Sequence, residues 1–523
     1  MRKRIFGTAI FLFLTAGGGW AQTPKVFLDS VEARLEKIAV PYNLAQWRFY
    51  TTGASDSLER YEKLWSGYVR DSAMFAAAVR LKADDKDPGR SRRWELLYDL
   101  LLGERVASSP DIMPLVDSLS QIHFSFRATL GDSQKTDNQI SKILRTNKDR
   151  IVRRQAWLAQ AQRGELLADG IQELMRWRNA LARTLGFSNY YELGMELAGL
   201  NRSFLLTALK QLDTLTEKPY RALLAQLQKK LGYEKLEAWD VSYAYADLEL
   251  KLDPYFSKDS LLPVLKRSMG GLGFRLDSLP ITFDTENRPG KSQHAYSFGI
   301  DPPKDVRILM NADVGITSYN TIFHECGHSI NACYVSQPTW LLRSQAPGCF
   351  SEGMAQIFAG LTRQKKWLIS YVHLPPGLAD EYLEHSAERQ LTRIRNTLVT
   401  LYFEFFAYQN PDQDLNKLWW DLYEKYTFLP RHDEAKGWAG IIHFATHPVY
   451  LQNYLLADMI AAQTNFRLKQ DLGEMVDNPG FKSFMVTKYF APGASRHWNA
   501  LLQAATITEL DPQYYMLELV PAR

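Results

Sequence analysis

The sequence predicts a mainly α-helical fold with a small β element just before its most informative helix. Two observations carry this. Residues 22 to about 275 and 311 to the end show helical spacing of apolar residues with few breakers. Residues 276–310 change character, with short alternating runs and Pro-Gly turns. A chain of 523 residues is long enough to bury one large core, or two lobes around a cleft.

The segment 1–21 reads as a secretory signal. Arg2, Lys3 and Arg4 precede an apolar core from Ile5 to Ala16, and Gly19-Trp20-Ala21 offers small residues for cleavage before Gln22. That core is short for a membrane span, and no later apolar run approaches the length of about 18 residues that a span needs. The expectation is an exported protein, periplasmic or secreted, with residues 22–523 forming a single two-lobed domain. Removing the three basic residues takes the formal charge from +4 to +1. Such a balance gives no argument for nucleic acid or anionic membranes.

Three cysteines do not make a disulfide scaffold. Cys326 and Cys333, if on one helix, have Cα atoms about 10 Å apart, too far to bridge. Cys349 could pair with one of them. Cys326, between two histidines, is expected to face away from what they bind.

In the N-terminal part, Leu28, Val31, Leu35, Ile38 and Ala39 fall on one stripe, and residues 145–162 and 170–185 continue the helical pattern. Asp84 to Gly89 is a polar connector. Then Ile281-Thr282-Phe283-Asp284 alternates weakly, while residues 294–299 and 305–310 read as strands. A strand edge before the next helix suits pairing with an extended peptide. His294 and Ala295 open that strand; a hydrogen-bonded structural histidine is the competing reading of His294.

Thr321 to Ile330 contains His-Glu-x-x-His. Residues i and i+4 share a helix face, so His324 and His328 can both point at one metal ion. Neutral imidazoles at this spacing suit one Zn²⁺, with Glu325 placed to take a proton from water. Catalytic zinc sites use three protein ligands. Glu352 follows His328 at a distance that leaves room for a helix end, a reversing loop and a second helix. It stands after the Pro347-Gly348 turn, at the start of a second helical run. Alone it reads as a helix-start acid favoured by the dipole; beside the motif it completes a His₂Glu set.

Towards the C-terminus, residues 384–407 form a long apolar-striped helix and residues 415–426 another. His443, His447, Tyr450 and Tyr454 cluster just before an apolar helix over 455–465. A phenol or imidazole there can stabilise an oxyanion, though core packing explains a tyrosine equally simply. Arg431, His432 and Lys436, just upstream, could recognise a carboxylate, though lone surface charges are more often simply solvated.

These residues resemble the angiotensin-converting-enzyme family of zinc peptidyl dipeptidases, with a second likeness to the thimet oligopeptidase and oligopeptidase F family. His294-Ala295, at its spacing before His324, resembles the first family's substrate strand, and Asp305-x-Arg307-Ile308 its next segment. Ala346-Pro347-Gly348 followed by Glu352 resembles its Asn-Pro-Gly-Phe-His-Glu block. Phe323-His324-Glu325-x-Gly327-His328, Gln356, His443-Phe444 and Pro448-x-Tyr450-x-x-x-Tyr454 look more like the oligopeptidases. The likeness covers about residues 290–365 and 440–465. Weaker likeness runs through Trp157, Leu185-Gly186-Phe187 and residues 492–505.

The resemblance implies a two-lobed helical gluzincin with a deep substrate channel that hydrolyses oligopeptides. His324, His328 and Glu352 would bind zinc, and Glu325 would be general base. Tyr454 would stabilise the oxyanion with His443 assisting. His294, Ala295, Tyr450 and His447 would hold substrate. The expected activity is that of a peptidyl dipeptidase, with an endo-acting oligopeptidase or a non-catalytic peptide binder as alternatives. Four departures bear on this. The two tyrosines stand one position further apart than in the converting enzymes. Gln356 replaces a carboxylate, no lysine precedes His443 closely, and Gln452 and Asn453 stand where the converting enzymes carry an arginine. The sequence does not give the oligomeric state.

Overall fold

The computed structural model describes residues 23–107, 109–292, 294–344 and 347–519; the signal-like segment 1–21 lies outside them. The fold is mainly helical, and none of the described helices is long and apolar enough to cross a membrane.

The N-terminal helices build a small core of their own. Phe27, Leu28, Val31 and Leu35 pack on Trp94, Leu97 and Leu101, and this core meets Trp340, Leu341 and Ala494. The predicted stripe of the first helix, Pro24–Thr52, is this buried face. A buried ion pair fixes the seam. Arg93 Nε lies 2.5 Å from Glu32 Oε1, and the Leu341 backbone N–H donates to Glu32 Oε2.

The large core runs from about Leu102 to Leu519 and holds the remaining long helices. The two patterns at 145–162 and 170–185 belong to one helix, Arg150–Thr184, started by Asp149, whose side chain accepts from the Ile151 N–H. The stretch expected at 384–407 starts earlier, at Pro376, and ends at Gln409. Pro375 and Pro376 mark its start, after the helix Lys365–Val372 has ended, because proline lacks only an N–H that a first turn leaves unpaired. The N-terminal region is also not wholly helical. Ala128–Leu130 and Ser133–Lys135 form a small antiparallel hairpin, with Gly131 at φ +59° in the turn.

Residues 276–310 form the β element. Ile281–Asp284 pairs in parallel with Asp305–Leu309, and Tyr296–Asp301 pairs antiparallel on the other side. Tyr296–Asp301 is therefore an edge strand, set against the helix Ile316–Tyr334 that carries the motif. Ser297 Oγ lies 2.7 Å from Ser329 Oγ, which joins strand to helix.

Three helices meet behind the motif: Ile316–Tyr334, Gly348–Ala359 and Gln452–Leu472. Two glycines permit the approach. A Cβ on Gly327 would stand 2.8 Å from Ala355 Cα, and one on Gly353 would stand 2.9 Å from Ile460 Cγ2. Cys326 and Cys349 are buried in the large core, and all three cysteines are free thiols, so the pairing open to Cys349 is not made.

Candidate active site

The motif helix holds His324 and His328 one turn apart, with their Nε2 atoms 3.2 Å from each other. Glu352, on the next helix, brings Oε2 to 3.2 Å from His324 Nε2 and 3.7 Å from His328 Nε2. This is the one group of three or more possible ligands among the described residues. Atoms about 2.0–2.1 Å from a tetrahedral zinc are about 3.3 Å apart, so the spacing fits that ion. The donor set fits too. Glu352 Oε2 is buried and receives no well-directed hydrogen bond. Burial raises the pKa of this carboxyl, but the two imidazoles more than reverse that and hold it well below the usual range.

The ligands are steadied from outside. Ser351 Oγ lies 3.2 Å from His328 Nδ1, and Tyr450 donates from its hydroxyl to Glu352 Oε1 at 3.1 Å. Such partners fix ring and carboxylate orientation. Sequence reasoning points to the position of Gln356 for this task and misses Ser351. A hydroxyl beside the ligand glutamate, on the face towards the motif helix, is the available signal.

Glu325 is buried on the same helix. Burial pushes its carboxyl up to about 7, helped by the charge of Glu352 and opposed by His324 and the Ser297 backbone N–H. A carboxylate poised near neutrality suits proton transfer.

These groups open into a cavity of about 1230 Å³, larger than the usual small-molecule pocket of about 300–1,000 Å³. The residues to which the resemblance gives catalysis, substrate binding or metal ligation all lie in its wall: His294, Ala295, His324, Glu325, His328, Glu352, His443, His447, Tyr450 and Tyr454. Tyr454 and His443 face each other with ring centroids 6.1 Å apart. Burial, with Glu352 and Glu325 nearby, pushes the Tyr454 phenol up to about 12, so it is a hydrogen-bond donor at neutral pH. Burial and the neighbouring His447 and His294 push His443 down, favouring the neutral imidazole.

The edge strand forms one wall. Tyr296, Ser297, Gly299, Ile300 and Asp301 line the cavity; the Ser297 N–H turns to Glu325, and Asn43 Nδ2 donates to the Gly299 and Ile300 carbonyls at 3.0 and 3.3 Å. The N-terminal helices supply further wall residues, including Tyr42, Trp65, Glu104, His123 and Phe124. None of these carried a motif.

Arg431, His432 and Lys436 are not in this wall. Arg431 pairs with Asp421 and Asp433, His432 with Glu237 at 2.9 Å and Lys436 with Glu165 at 3.0 Å. Acids outside the cavity hold all three, so the possible use as carboxylate receptors is not realised there.

A family model described as Peptidase family M3 matches residues 143–267, a stretch that ends before the motif helix and includes Trp157 and Leu185-Gly186-Phe187. No curated protein matches the chain. The matched segment and the metal-ligating cluster in the cavity lie on one chain, and that chain is a metallopeptidase.

Proposed function

We propose that the enzyme is a zinc-dependent oligopeptidase that cuts internal bonds of short peptides. One observation favours internal cutting. Arg343 is the one lysine or arginine among the described residues of the cavity wall, and its guanidinium lies 2.5 Å from Glu36. A peptidase that counts residues from a free C-terminus needs a cation to receive the carboxylate.

His324, His328 and Glu352 would hold the zinc. Zinc supplies a Lewis acid that polarises the scissile carbonyl and acidifies water. Glu325 accepts the proton of the attacking water and returns it to the leaving amine. Tyr454 donates to the oxygen of the attacked carbonyl as negative charge builds on it. Tyr450 is committed to Glu352 through its hydroxyl, which leaves Tyr454 as the donor. Ala295 and the strand that follows it pair with the extended peptide backbone.

A second reading, release of C-terminal dipeptides, rests on the imidazoles of His294, His443 and His447 in the wall, which can donate to a carboxylate. Mass-spectrometric product mapping separates the two. A ladder of short peptides, pentamers to pentadecamers, with free or amidated C-termini is incubated with zinc-loaded enzyme and with Glu325→Gln. Internal cuts insensitive to amidation are expected. Stepwise loss of C-terminal dipeptides, abolished by amidation, would establish the second reading. Absence of any cleavage would leave a peptide binder.

A further inference from the structure

The cavity continues well past the metal ligands. From His328 the motif helix runs on to Val335, a rise of about 10 Å. The wall at that far end carries Tyr42, Trp65, Trp340, Glu104, Asp301 and Arg343. Tyr42 and Trp65 stack with centroids 6.2 Å apart and planes at 22°. Trp65 and Trp340 are also 6.2 Å apart, at 58°. The three rings thus form a continuous row.

A carboxylate stands beside the row. The Trp65 indole N–H donates to Glu104. Asp301 ends the edge strand in the same cavity wall and pairs with Lys304 at 3.2 Å. The positive charge nearby is already engaged, because Arg343 pairs with Glu36 and donates to the Pro338 carbonyl at 3.1 Å. Burial, followed by Glu62 and Glu104, pushes the Tyr42 phenol up to about 12. None of these side chains serves the metal centre.

We propose that the far end is a subsite for a cationic group of the peptide, seated over the Tyr42–Trp65–Trp340 row and against Glu104 and Asp301. It takes a lysine or arginine side chain, or the free α-amino group. Ring faces and carboxylates both attract an ammonium, and neither suits a carboxylate. An extended chain advances about 3.3 Å per residue, so a span of about 10 Å places the cation about three residues from the cleaved bond. This rests on the peptidase reading above, and the experiment separates the two.

N-acetylated fluorescent peptides carrying one lysine, walked stepwise away from the cleaved bond through and beyond that register, are compared with the same peptides bearing acetyl-lysine. A further peptide has a free N-terminus and no lysine. Affinities are measured on zinc-loaded Glu325→Gln protein, with and without Glu104→Gln. Lysine is expected to bind about tenfold more tightly than acetyl-lysine at a register of about three residues. The ratio should fall to within about twofold on Glu104→Gln and shrink with added salt. The free-amine peptide shows whether the α-amino group gains equally.

Equal affinity of lysine and acetyl-lysine at every register overturns the proposal, as does a ratio that survives Glu104→Gln. Both ligands are read on the same preparation, so a partly folded variant does not change their ratio. If Glu104→Gln does not fold at all, Trp65→Leu gives the same readout. Hydrolysis of these peptides by the wild type is measured in parallel. No hydrolysis, together with an intact lysine preference, would refute the peptidase reading and leave the subsite standing.

Discussion

Glu404 accepts a hydrogen bond of 2.7 Å from the backbone N–H of Val449. It ties the long helix Pro376–Gln409 to the bend that presents Tyr450 and Tyr454. Val449 sits at φ +55°, a conformation a β-branched residue adopts only when its surroundings impose it. Arg178 braces the preceding turn by donating to the Phe444 carbonyl at 2.7 Å and to that of Ala445. Glu404→Ala leaves the buried N–H without an acceptor. It should cost about 1–3 kcal/mol of stability and lower kcat/KM, while Glu404→Gln keeps an acceptor and loses less. Burial pushes the Glu404 carboxyl up to about 7, against the pull of the Val449 N–H and Arg178. A raised carboxyl favours the folded state fully below its unfolded pKa of about 4.3, and this contribution is lost as pH rises through 7. Denaturation of wild type and Glu404→Gln from pH 4 to pH 8 should show wild type losing stability relative to the variant across that interval.

The two tyrosines should fail in different ways. Tyr454→Phe is expected to lower kcat by about 10²–10³ with little change in metal content. Tyr450→Phe removes the donor to Glu352 and should weaken zinc affinity by about tenfold or more. Metal titration alongside steady-state kinetics distinguishes them, and matching losses in both would refute the division of labour.

Ser351→Ala removes the hydroxyl beside His328 Nδ1 and should weaken zinc about 10- to 100-fold. A chelator should lower the melting temperature of the wild type and added zinc restore it, since a ligand that binds only the folded state stabilises it. A melting temperature indifferent to both would argue against the site.

Gly327→Ala places a methyl 2.8 Å from Ala355 Cα. Overpacking of this kind costs about 1–3 kcal/mol. Here it also pushes the ligand helices apart, so zinc affinity should fall with stability. Calorimetry and metal titration on one preparation check the pairing.

Expression with a secretory host should yield a chain that begins at Gln22, read by intact mass. A full-length N-terminus would refute export through the segment 1–21.

The metal site was legible because its chemistry is local. The spacing of one helical turn fixes two ligands, and a Pro-Gly turn announces the helix bearing the third. The edge strand was legible from the change in period. Glu404 was not, because an acid in an apolar-striped helix looks like a solvated residue until Val449, far along the chain, is seen to need it. Tyr42, Trp65, Glu104 and Trp340 come from four separate helices, and no short-range pattern joins them. The upstream cations illustrate the converse. Arg431, His432 and Lys436 look available in sequence and are engaged once Asp421, Glu237 and Glu165 fold against them.

Asn43 gives the edge strand a ruler. By capturing the Gly299 and Ile300 carbonyls, it ends the stretch on which a guest backbone can zip to its host before the strand itself ends. Main-chain grip is blind to side-chain identity, so the proposed strand pairing would leave that span tolerant of sequence. Beyond it, discrimination passes to whatever the guest's side chains meet. On the proposed reading, tolerance near the cut and selectivity at a distance would belong to different parts of one wall, and either could drift without disturbing the other.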